Sequence, residues 1–426
     1  MKFFRWIATF AFALTVQVRA AESVSDWLLP NLAARLTIQV SNPSPEPVKM
    51  LATIPIADVR KVALEFPGRL AFALLLNPTS KDRPATFLPL QIDDLDGDGT
   101  PDQFEFPVEL AAHERRQVDI YYSTTLDDTI SYPKRVHAKH SYGYNREVAA
   151  LESELVGYRT YGGFFLDIMG RSPGLSGLNN DLAGYVPVFR DLGAGRDVFH
   201  IGGTLGLGGI FLRRNGKVWQ PPMNIPSYAH KPSPSIVPHY KVISQGPLRA
   251  IVEATLDDWA PDGDKFRIRA VYSIDAGTSN VRCHVEIVPL EMAGSGGNYE
   301  VGIGVRELPA GAVTNTPGQL IVTGRQNQRD GDIGLGLFYE AAAFGPVSSV
   351  RTQEGTNHGL VSRSRLTPGR AVTMDYSVAG AWSGSGISNL SSFLGTAGKA
   401  SGARLDIGGF RFQTTPRPDK VDAEAQ

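Results

Sequence analysis

The sequence predicts an all-β protein, because short segments of alternating apolar and polar residues recur along its 426 residues. The 45 Gly and 29 Pro residues separate these segments and interrupt nearly every stretch that could carry a helical period. Alternation with a period of two places apolar side chains on one face of a strand. We therefore expect few or no long helices, the best short candidate being Val148 to Val156.

Five segments carry the clearest strand pattern. They are residues 34–40, 117–122, 267–272, 281–287 and 404–407. In the segment 281–287, Arg282, His284 and Glu286 alternate with apolar residues and should share one face, either in solvent or in a binding cleft. Cys283, the only cysteine, falls on the apolar face. This position favours a buried, unreactive thiol over a nucleophile.

The first twenty residues have the order of a signal peptide. Lys2 and Arg5 precede an apolar run from Trp6 to Val18, and Ala20 ends a cleavage sequence of the small-residue type. This run is too short to span a bilayer, and no later stretch is long and apolar enough. We expect an exported protein, periplasmic or extracellular, without a membrane span.

Composition divides the rest of the chain into three parts. After the signal peptide at 1–20, we predict an N-terminal β region at 21–130 and a main β region at 131–414. The polar tail at 415–426 contains Pro and is expected to be disordered. Within the main region, Gly, Asn and Pro between 170 and 195 predict a long loop.

An acidic stretch between two predicted strands has the spacing of a calcium loop. Its carboxylates, at loop positions 1, 3, 5, 9 and 12, are Asp94, Asp96, Asp98, Asp102 and Glu105. Gly99 stands at position 6, where the loop needs a sharp turn. The pattern predicts a structural Ca²⁺ in a β-hairpin. An acidic turn without an ion is the alternative, because Asp and Gly favour turns by themselves.

Polar and aromatic side chains are dense between Arg135 and Asp167. If the chain is extended from Leu155 to Tyr161, Arg159 and Tyr161 share a face. A guanidinium beside a phenol suits an anionic sugar, whereas an ordinary rim of ion pairs is the alternative. The other members of this cluster are His137, His140, Tyr142, Tyr144, Arg146, Glu152 and Glu154.

His200 lies in the glycine-rich stretch 195–209, which has neither the spacing nor the following helix of a dinucleotide site. We interpret these glycines as positions of close strand packing and His200 as either a core or a catalytic histidine. Trp382 is either a sugar-stacking platform or a core residue.

Several familiar functional classes have no support in the sequence. It contains no nucleophile elbow, phosphate-binding loop or zinc motif, so we expect no organic cofactor. The formal net charge is −1, with basic and acidic residues interspersed, and no basic stripe is present to neutralise phosphates. Nucleic acid is therefore not an expected partner.

Several stretches together resemble a secreted bacterial family catalogued as a domain of unknown function and found beside unsaturated-uronyl hydrolases. They are 90–102, 151–162, 167–170, 197–209, 244–253, 273–277 and 376–383. One branch of that family is described as a dehydratase of ulvan oligosaccharides. The resemblance, over residues 30 to 410, implies the galactose mutarotase-like β-supersandwich fold. Leu151 and His200 stand where similar proteins usually have Trp and often have Lys, so the substrate stays open.

The resemblance implies β-elimination on a uronic acid in an acidic oligosaccharide or polysaccharide fragment. The reaction neutralises the carboxylate, removes the C5 proton with a base and protonates the departing C4 oxygen. Arg159 would hold the carboxylate. Either His140 or His200 would be the base. Either Tyr161 or Tyr142 would be the acid. Substrate contacts are expected from Glu152, Glu154, Asp167 and Trp382.

Three questions stay open at this point. A departing hydroxyl makes the enzyme a dehydratase, and a departing glycosidic oxygen makes it a lyase. A non-catalytic carbohydrate-binding protein would use Trp382 as a platform and lack a converging His, Tyr and Arg set. A glycoside hydrolase would need two carboxylates about 5 to 10 Å apart, for example Glu152 with Glu154 or Asp167.

Overall fold

The structure is a computed structural model, and it describes most of the chain between residues 32 and 414. The described residues are 32, 34–66, 73–76, 86–122, 132–143, 146–162, 164–172, 195–222, 237–292, 299–326 and 331–414. The predicted signal peptide, the centre of the predicted 170–195 loop and the predicted tail lie outside them.

An N-terminal body contains two antiparallel sheets around one apolar core. Its elements are β1 (Ala34–Ser41), β2 (Val48–Pro55), α1 (Ile56–Arg60), β3 (Ala73–Leu76), β4 (Thr86–Leu88), β5 (Gln91–Asp93), β6 (Gln103–Leu110) and β7 (Arg115–Tyr122). The strand order of the smaller sheet is β2-β6-β5. The larger sheet includes a strand from the C-terminal part of the chain, β26 (Asp406–Thr414). Its strand order is β26-β1-β7-β3-β4.

The main body begins with a five-stranded sheet that carries the predicted polar cluster. Its strands are β8 (Val136–Gly143), β9 (Arg146–Ser153), β10 (Val156–Thr160), β11 (Asp167–Arg171) and β12 (Gly195–Asp197), in the order β12-β11-β10-β9-β8. Apolar side chains on one face of this sheet, including Leu151 and Tyr158, belong to the main core. The polar residues that alternate with them consequently lie on the opposite face.

Two further sheets complete the main body. The first, in the order β14-β13-β19-β24-β23, contains β13 (Leu207–Arg214), β14 (Lys217–Trp219), β19 (Tyr299–Arg306), β23 (Ser348–Thr352) and β24 (Gly355–Leu366). The second has eight strands in the order β15-β16-β17-β18-β25-β22-β21-β20. These are β15 (His239–Gln245), β16 (Arg249–Trp259), β17 (Lys265–Asp275), β18 (Asn280–Glu291), β20 (Ala312–Thr316), β21 (Gln319–Gly324), β22 (Ile333–Tyr339) and β25 (Val372–Trp382). One buried core joins all three sheets, as in a β-sandwich.

The all-β prediction, with few and short helices, is confirmed. Four of the five predicted segments are strands throughout, and the last begins at Asp406 rather than at Arg404. The helix predicted from Val148 to Val156 is wrong, because these residues belong to β9 and β10. Both faces of those strands are buried, so their sequence lacks visible alternation. The helix α2 (Leu390–Ser401) was missed because Gly395 and Gly398 interrupt it.

Two finer expectations are also met. Val281, Cys283 and Val285 are buried, whereas Arg282 and His284 point away from the core. Burial raises the pKa of the Cys283 thiol well above its usual value, as expected for an unreactive side chain.

Within the described residues, no helix has both the length and the apolar character needed to cross a membrane.

A buried polar network joins the two bodies. Gln91 of β5 accepts hydrogen bonds from the backbone N–H groups of Leu248 and Arg249, at 2.6 and 2.8 Å. Its amide also donates to the Arg249 carbonyl at 2.9 Å. Ser244 Oγ donates to Asp93 Oδ1 at 2.6 Å. Because these groups are buried, each bond replaces one that water would otherwise supply.

Arg249 is the centre of this network. Its Nη1 donates to Glu105 Oε1 at 2.6 Å and its Nε to Asp275 Oδ1 at 2.7 Å. Burial raises the pKa of Glu105 to about 9; Arg249 opposes this shift and the neighbouring Asp93 adds to it. Glu105 therefore carries a proton at neutral pH, and this proton can be shared with the Asp93 carboxylate.

Glu105 should make stability fall as pH rises. Its folded pKa lies above the unfolded value of 4.5, so between that value and about 9 the folded state holds a proton that the unfolded state has released. The free energy of unfolding should fall by up to about 1.4 kcal/mol per pH unit in this range from Glu105 alone. Glu105→Gln, which keeps a neutral polar group, should remove this slope in urea unfolding measured from about pH 5.5 to about pH 8, a range that stays about 1 unit inside both pKa values.

The matched control is Glu109→Gln on the same strand, because Glu109 is exposed and its ion-pair partner among the described residues is Lys49. It should leave the slope unchanged. An identical pH slope in Glu105→Gln and the unmodified protein would show that Glu105 is ionised in the folded state.

Candidate functional site

The outer face of the five-stranded sheet holds a buried cation between two acids. Arg159 on β10 donates from Nη2 to Asp167 Oδ2 on β11 at 2.5 Å and to Asp197 Oδ2 on β12 at 2.7 Å. All three side chains are almost fully buried. Burial raises the pKa of both carboxyl groups, and Arg159 opposes the shift in each. One guanidinium thus serves two closely spaced acids, an arrangement that favours retention of a proton by the pair.

Tyr161 extends the same network toward the surface. The Arg159 Cζ lies 5.3 Å from the centre of the Tyr161 ring, within the range of a cation–π contact. The ring also packs edge-on against Phe165, with centroids 5.2 Å apart. The prediction that Arg159 and Tyr161 share a face is confirmed. Because Tyr161 is only partly buried, its phenol can meet a ligand that Arg159 cannot reach.

A second buried ion pair lies beside the first. Arg171 Nη2 on β11 donates to Glu152 Oε2 on β9. The same nitrogen also donates to the Ser153 carbonyl at 3.2 Å. Burial raises the pKa of Glu152 to about 7, with Arg171 opposing the shift. The Ser385 hydroxyl donates to the Arg171 carbonyl at 2.7 Å and fixes the end of that strand. Sequence reasoning missed Arg171 and Asp197, whose partners come from other strands.

His200 is an exposed side chain on a tightly held backbone. Its N–H donates to Gln326 Oε1, and Gln326 Nε2 donates back to its carbonyl, both at 2.8 Å. Arg306 Nη1 donates to the His200 carbonyl and, at 3.1 Å, to that of Ile201. The interpretation of His200 as a core histidine is wrong, because its side chain is exposed. His200 follows Asp197 closely in the chain, so the loop that carries the imidazole begins at the Arg159 network.

The glycines after His200 allow close contacts with two further side chains. Gly203 N–H donates to Glu354 Oε2 at 2.7 Å, and Leu205 N–H donates to Asn357 Oδ1 at 2.8 Å. Gly202 has φ +57°, and a Cβ there would lie 2.5 Å from Glu354 Oε2. A larger residue would be strained by this φ and would displace the Glu354 carboxylate. Side chains from four positions therefore fix the loop that presents the imidazole.

His140 belongs to a separate cluster. Its Nε2 lies 2.9 Å from Glu147 Oε1, and His239 Nδ1 lies 3.2 Å from Glu147 Oε2. His140 is in register with Ala149 and Thr160, and Thr160 points away from the face that carries Arg159. The structure therefore places His140 on the face of the sheet opposite to the Arg159 network.

Three other predicted site residues have different surroundings. Glu154 pairs with Arg135 and accepts the Gly277 N–H at 2.9 Å, at the far end of β9. Trp382 is 9 % exposed and packs against Gly170, with Arg196 near its ring, which favours the core alternative over a sugar platform. Tyr142 lies on β8, but its side chain is outside the described residues, as is all of Tyr144.

The acidic loop lies in a β-hairpin, as predicted. It joins β5 to β6, which pair antiparallel. Carboxylate oxygens of Asp94, Asp96 and Asp102 all lie within 4.8 Å of one another, so oxygen ligands for a hard cation converge there. Asp98 is absent from this group and accepts the Thr100 N–H at 2.6 Å. Glu105 is no ligand, because it is buried and faces Arg249.

Most of the chain matches one protein family. The model of a family described as a domain of unknown function, DUF4861, matches residues 77–395. The chain belongs to this family. The matched range contains the acidic loop, the Arg159 network and the His200 loop. It does not extend to the first three strands or to the C-terminal strand β26.

Solved structures add distant likenesses. A protein in glycosyl hydrolase family 38 from Enterococcus faecalis is 10% identical over 88% of this chain and 47% of its own, with a TM-score of 0.46. An alpha-mannosidase from Enterococcus faecalis V583 is 10% identical over 88% and 46%, with a TM-score of 0.44. The chain thus spans about half the length of these structures. No curated protein sequence matches it. The link to ulvan and to uronyl hydrolases stays a prediction.

The acidic loop generates a test of the predicted calcium site. Calcium should raise the melting temperature, because an ion that binds only the folded chain stabilises it. A chelator should reverse the rise, and Asp96→Asn should abolish it by removing a ligand charge. The control is Glu105→Gln, which should keep the response to calcium. If neither calcium nor the chelator changes the melting temperature of the unmodified protein, the loop is an acidic turn without an ion.

Proposed function

We propose that this protein is an exported enzyme that acts on uronate-containing oligosaccharides by β-elimination. The observation that carries the proposal is the exposed His200 on a rigidly held loop, beside the buried network of Arg159, Asp167 and Asp197 and the partly exposed Tyr161. A base and an acid at fixed positions are what removal of a C5 proton and departure of a C4 oxygen require. The family resemblance supports the same chemistry.

His200 is our preferred base. A general base must present its nitrogen to the substrate at a fixed position, and here the backbone is held while the imidazole stays accessible. His140 is the second candidate, because a buried carboxylate, Glu147, orients its ring. His140 lies on β8, on the face opposite to Arg159, whereas His200 follows β12, whose Asp197 is bonded to Arg159. We therefore propose that His200 is the histidine that acts together with Tyr161.

We propose for Arg159 a different role from the one that the family resemblance implied. Its guanidinium is 2 % exposed and already bonded to two acids, so we propose that it positions Tyr161 instead of binding the substrate carboxylate. Arg306 is better placed for that carboxylate. It uses only Nη1 to hold the His200 loop, and no described residue accepts a hydrogen bond from its Nε or Nη2. That edge could bind a carboxylate through two parallel bonds.

Glycoside hydrolysis by the predicted carboxylate pairs has less support. Glu152 is bonded to Arg171, Glu154 to Arg135 and Asp167 to Arg159. Glu152 and Asp167 are each 1 % exposed, so neither carboxylate is open to a sugar or to water from the surface. A non-catalytic binding function would not require an exposed imidazole at a fixed position, as His200 provides.

The assay for this proposal follows the ultraviolet absorbance of an unsaturated uronate during incubation with uronate-containing oligosaccharides. His200→Ala should abolish turnover, because the base is lost. The control is His284→Ala, an exposed histidine paired with Asp375, which should retain full activity. Loss of activity in His140→Ala with retention in His200→Ala would identify His140 as the base. Retention in both would exclude a histidine base.

The role of Arg159 can be separated by kinetics. Arg159→Lys keeps the charge but loses the planar donor pair, so Tyr161 and the two acids should shift. We expect kcat to fall by roughly tenfold or more with KM little changed, because the loss concerns the transition state. Arg306→Lys should instead raise KM. The control Arg213→Lys alters a surface pair with Glu300 and should change neither. A raised KM in Arg159→Lys would restore Arg159 as the substrate-binding arginine.

A further inference from the structure

A cavity of about 330 Å³ lies where the N-terminal body meets the main body. Its walls come from β2, from the eight-stranded sheet and from the connection between α2 and β26. The cavity is separate from the His200 loop and from the Arg159 network, none of whose residues lines it. Its volume falls within the range of small-molecule sites, which often occur between domains.

The lining is unevenly charged. Lys49, Arg249, Arg282 and Arg404 are basic, and Asp275 is the acid among the lining residues. Arg282 binds both Asp275 oxygens at 2.7 Å, and Arg249 binds one of them at the same distance. The pKa of Asp275 falls to about 2 because these two arginines outweigh its burial. The Asp275 carboxylate is thus fully engaged at the floor of the cavity.

Arg404 supplies a positive charge that the cavity does not neutralise. It is exposed, and it donates from Nη1 to the Ser401 and Ala403 carbonyls, at 3.3 and 2.9 Å. No described residue accepts a hydrogen bond from its Nε or Nη2. Lys49, at the rim, has an exposed partner in Glu109 at 3.3 Å. Arg404 therefore offers the donor edge that a carboxylate or sulfate oxygen pair would bind.

The other walls fit a sugar ring. Ser377 lies directly across from Arg282 in the paired strands β18 and β25, and its hydroxyl has no hydrogen-bond partner among the described residues. Apolar surface comes from Met50, Ala276 and Leu405. A pyranose presents hydroxyls at its edge and C–H groups on its face, so hydroxyl, guanidinium and apolar walls match one ring that bears an acidic group.

We infer that this cavity is a second carbohydrate site, which binds an acidic monosaccharide unit with its carboxylate on Arg404 and its ring between the two bodies. Such a ligand contacts both bodies at once and would therefore tighten their association. The inference does not depend on the proposed catalytic chemistry, because it rests on different residues and would hold for a non-catalytic protein as well.

The test measures binding of glucuronic acid by calorimetry, with glucose and inorganic sulfate as comparison ligands. Glucuronic acid should bind, glucose should not, and sulfate should bind at least about tenfold more weakly because it lacks the ring. Arg404→Gln should weaken glucuronic acid binding at least about tenfold, a loss of ~1.4 kcal/mol. The control is Lys399→Gln, which removes the same charge from an exposed position of α2 outside the cavity and should bind normally.

Binding at the proposed catalytic site is distinguished by His200→Ala, which should retain binding of glucuronic acid. If His200→Ala loses binding while Arg404→Gln keeps it, the ligand occupies the other site and this inference is overturned. Equal affinity for sulfate and glucuronic acid would indicate an adventitious ion only. Absence of glucuronic acid binding to the unmodified protein would also overturn it.

Discussion

The buried guanidinium of Arg159 is the interaction on which the candidate site depends. It connects three neighbouring strands, because Asp167 begins β11 and Asp197 ends the short strand β12. Without the cation, two carboxyl groups would be buried close together with no counter-charge, which costs several kcal/mol. Since β12 has only three residues, its backbone bonds alone give little support, and the ion pair fixes where the His200 loop begins.

Arg249 repeats this arrangement at the junction of the two bodies. In each case one arginine bonds carboxyl groups from two different strands, and burial shifts the pKa of an acid in the group upward. Buried ion pairs of this kind add little net stability compared with apolar packing. Their geometry is directional, however, so they specify one alignment of strands among several that apolar contacts would permit. One network aligns the site, and the other aligns the two bodies.

The sequence predicted the sheets better than it predicted the site. Strands with one solvated face, such as the segment around Cys283, alternate visibly, whereas β9 and β10 are buried on both faces and were assigned to a helix. The local pairing of Arg159 with Tyr161 follows from strand periodicity and was predicted. The partners Asp197, Gln326 and Arg306 are distant in sequence, and nothing in local spacing indicates them. Glu105 fits the calcium pattern by number, yet its strand turns it toward Arg249.

The pairing of β26 with β1 has a consequence for biosynthesis. A ribosome releases the chain from its N-terminus, so β1 and β7 emerge long before the strand that covers the other edge of β1. Until residues 406–414 have been synthesised, this edge of β1 exposes unpaired backbone N–H and C=O groups. Another chain can pair with such an edge, and exposed edges of this kind promote aggregation. The N-terminal body is therefore complete only after residues 406–414 have been synthesised, and a chain truncated before them would expose the unpaired edge of β1.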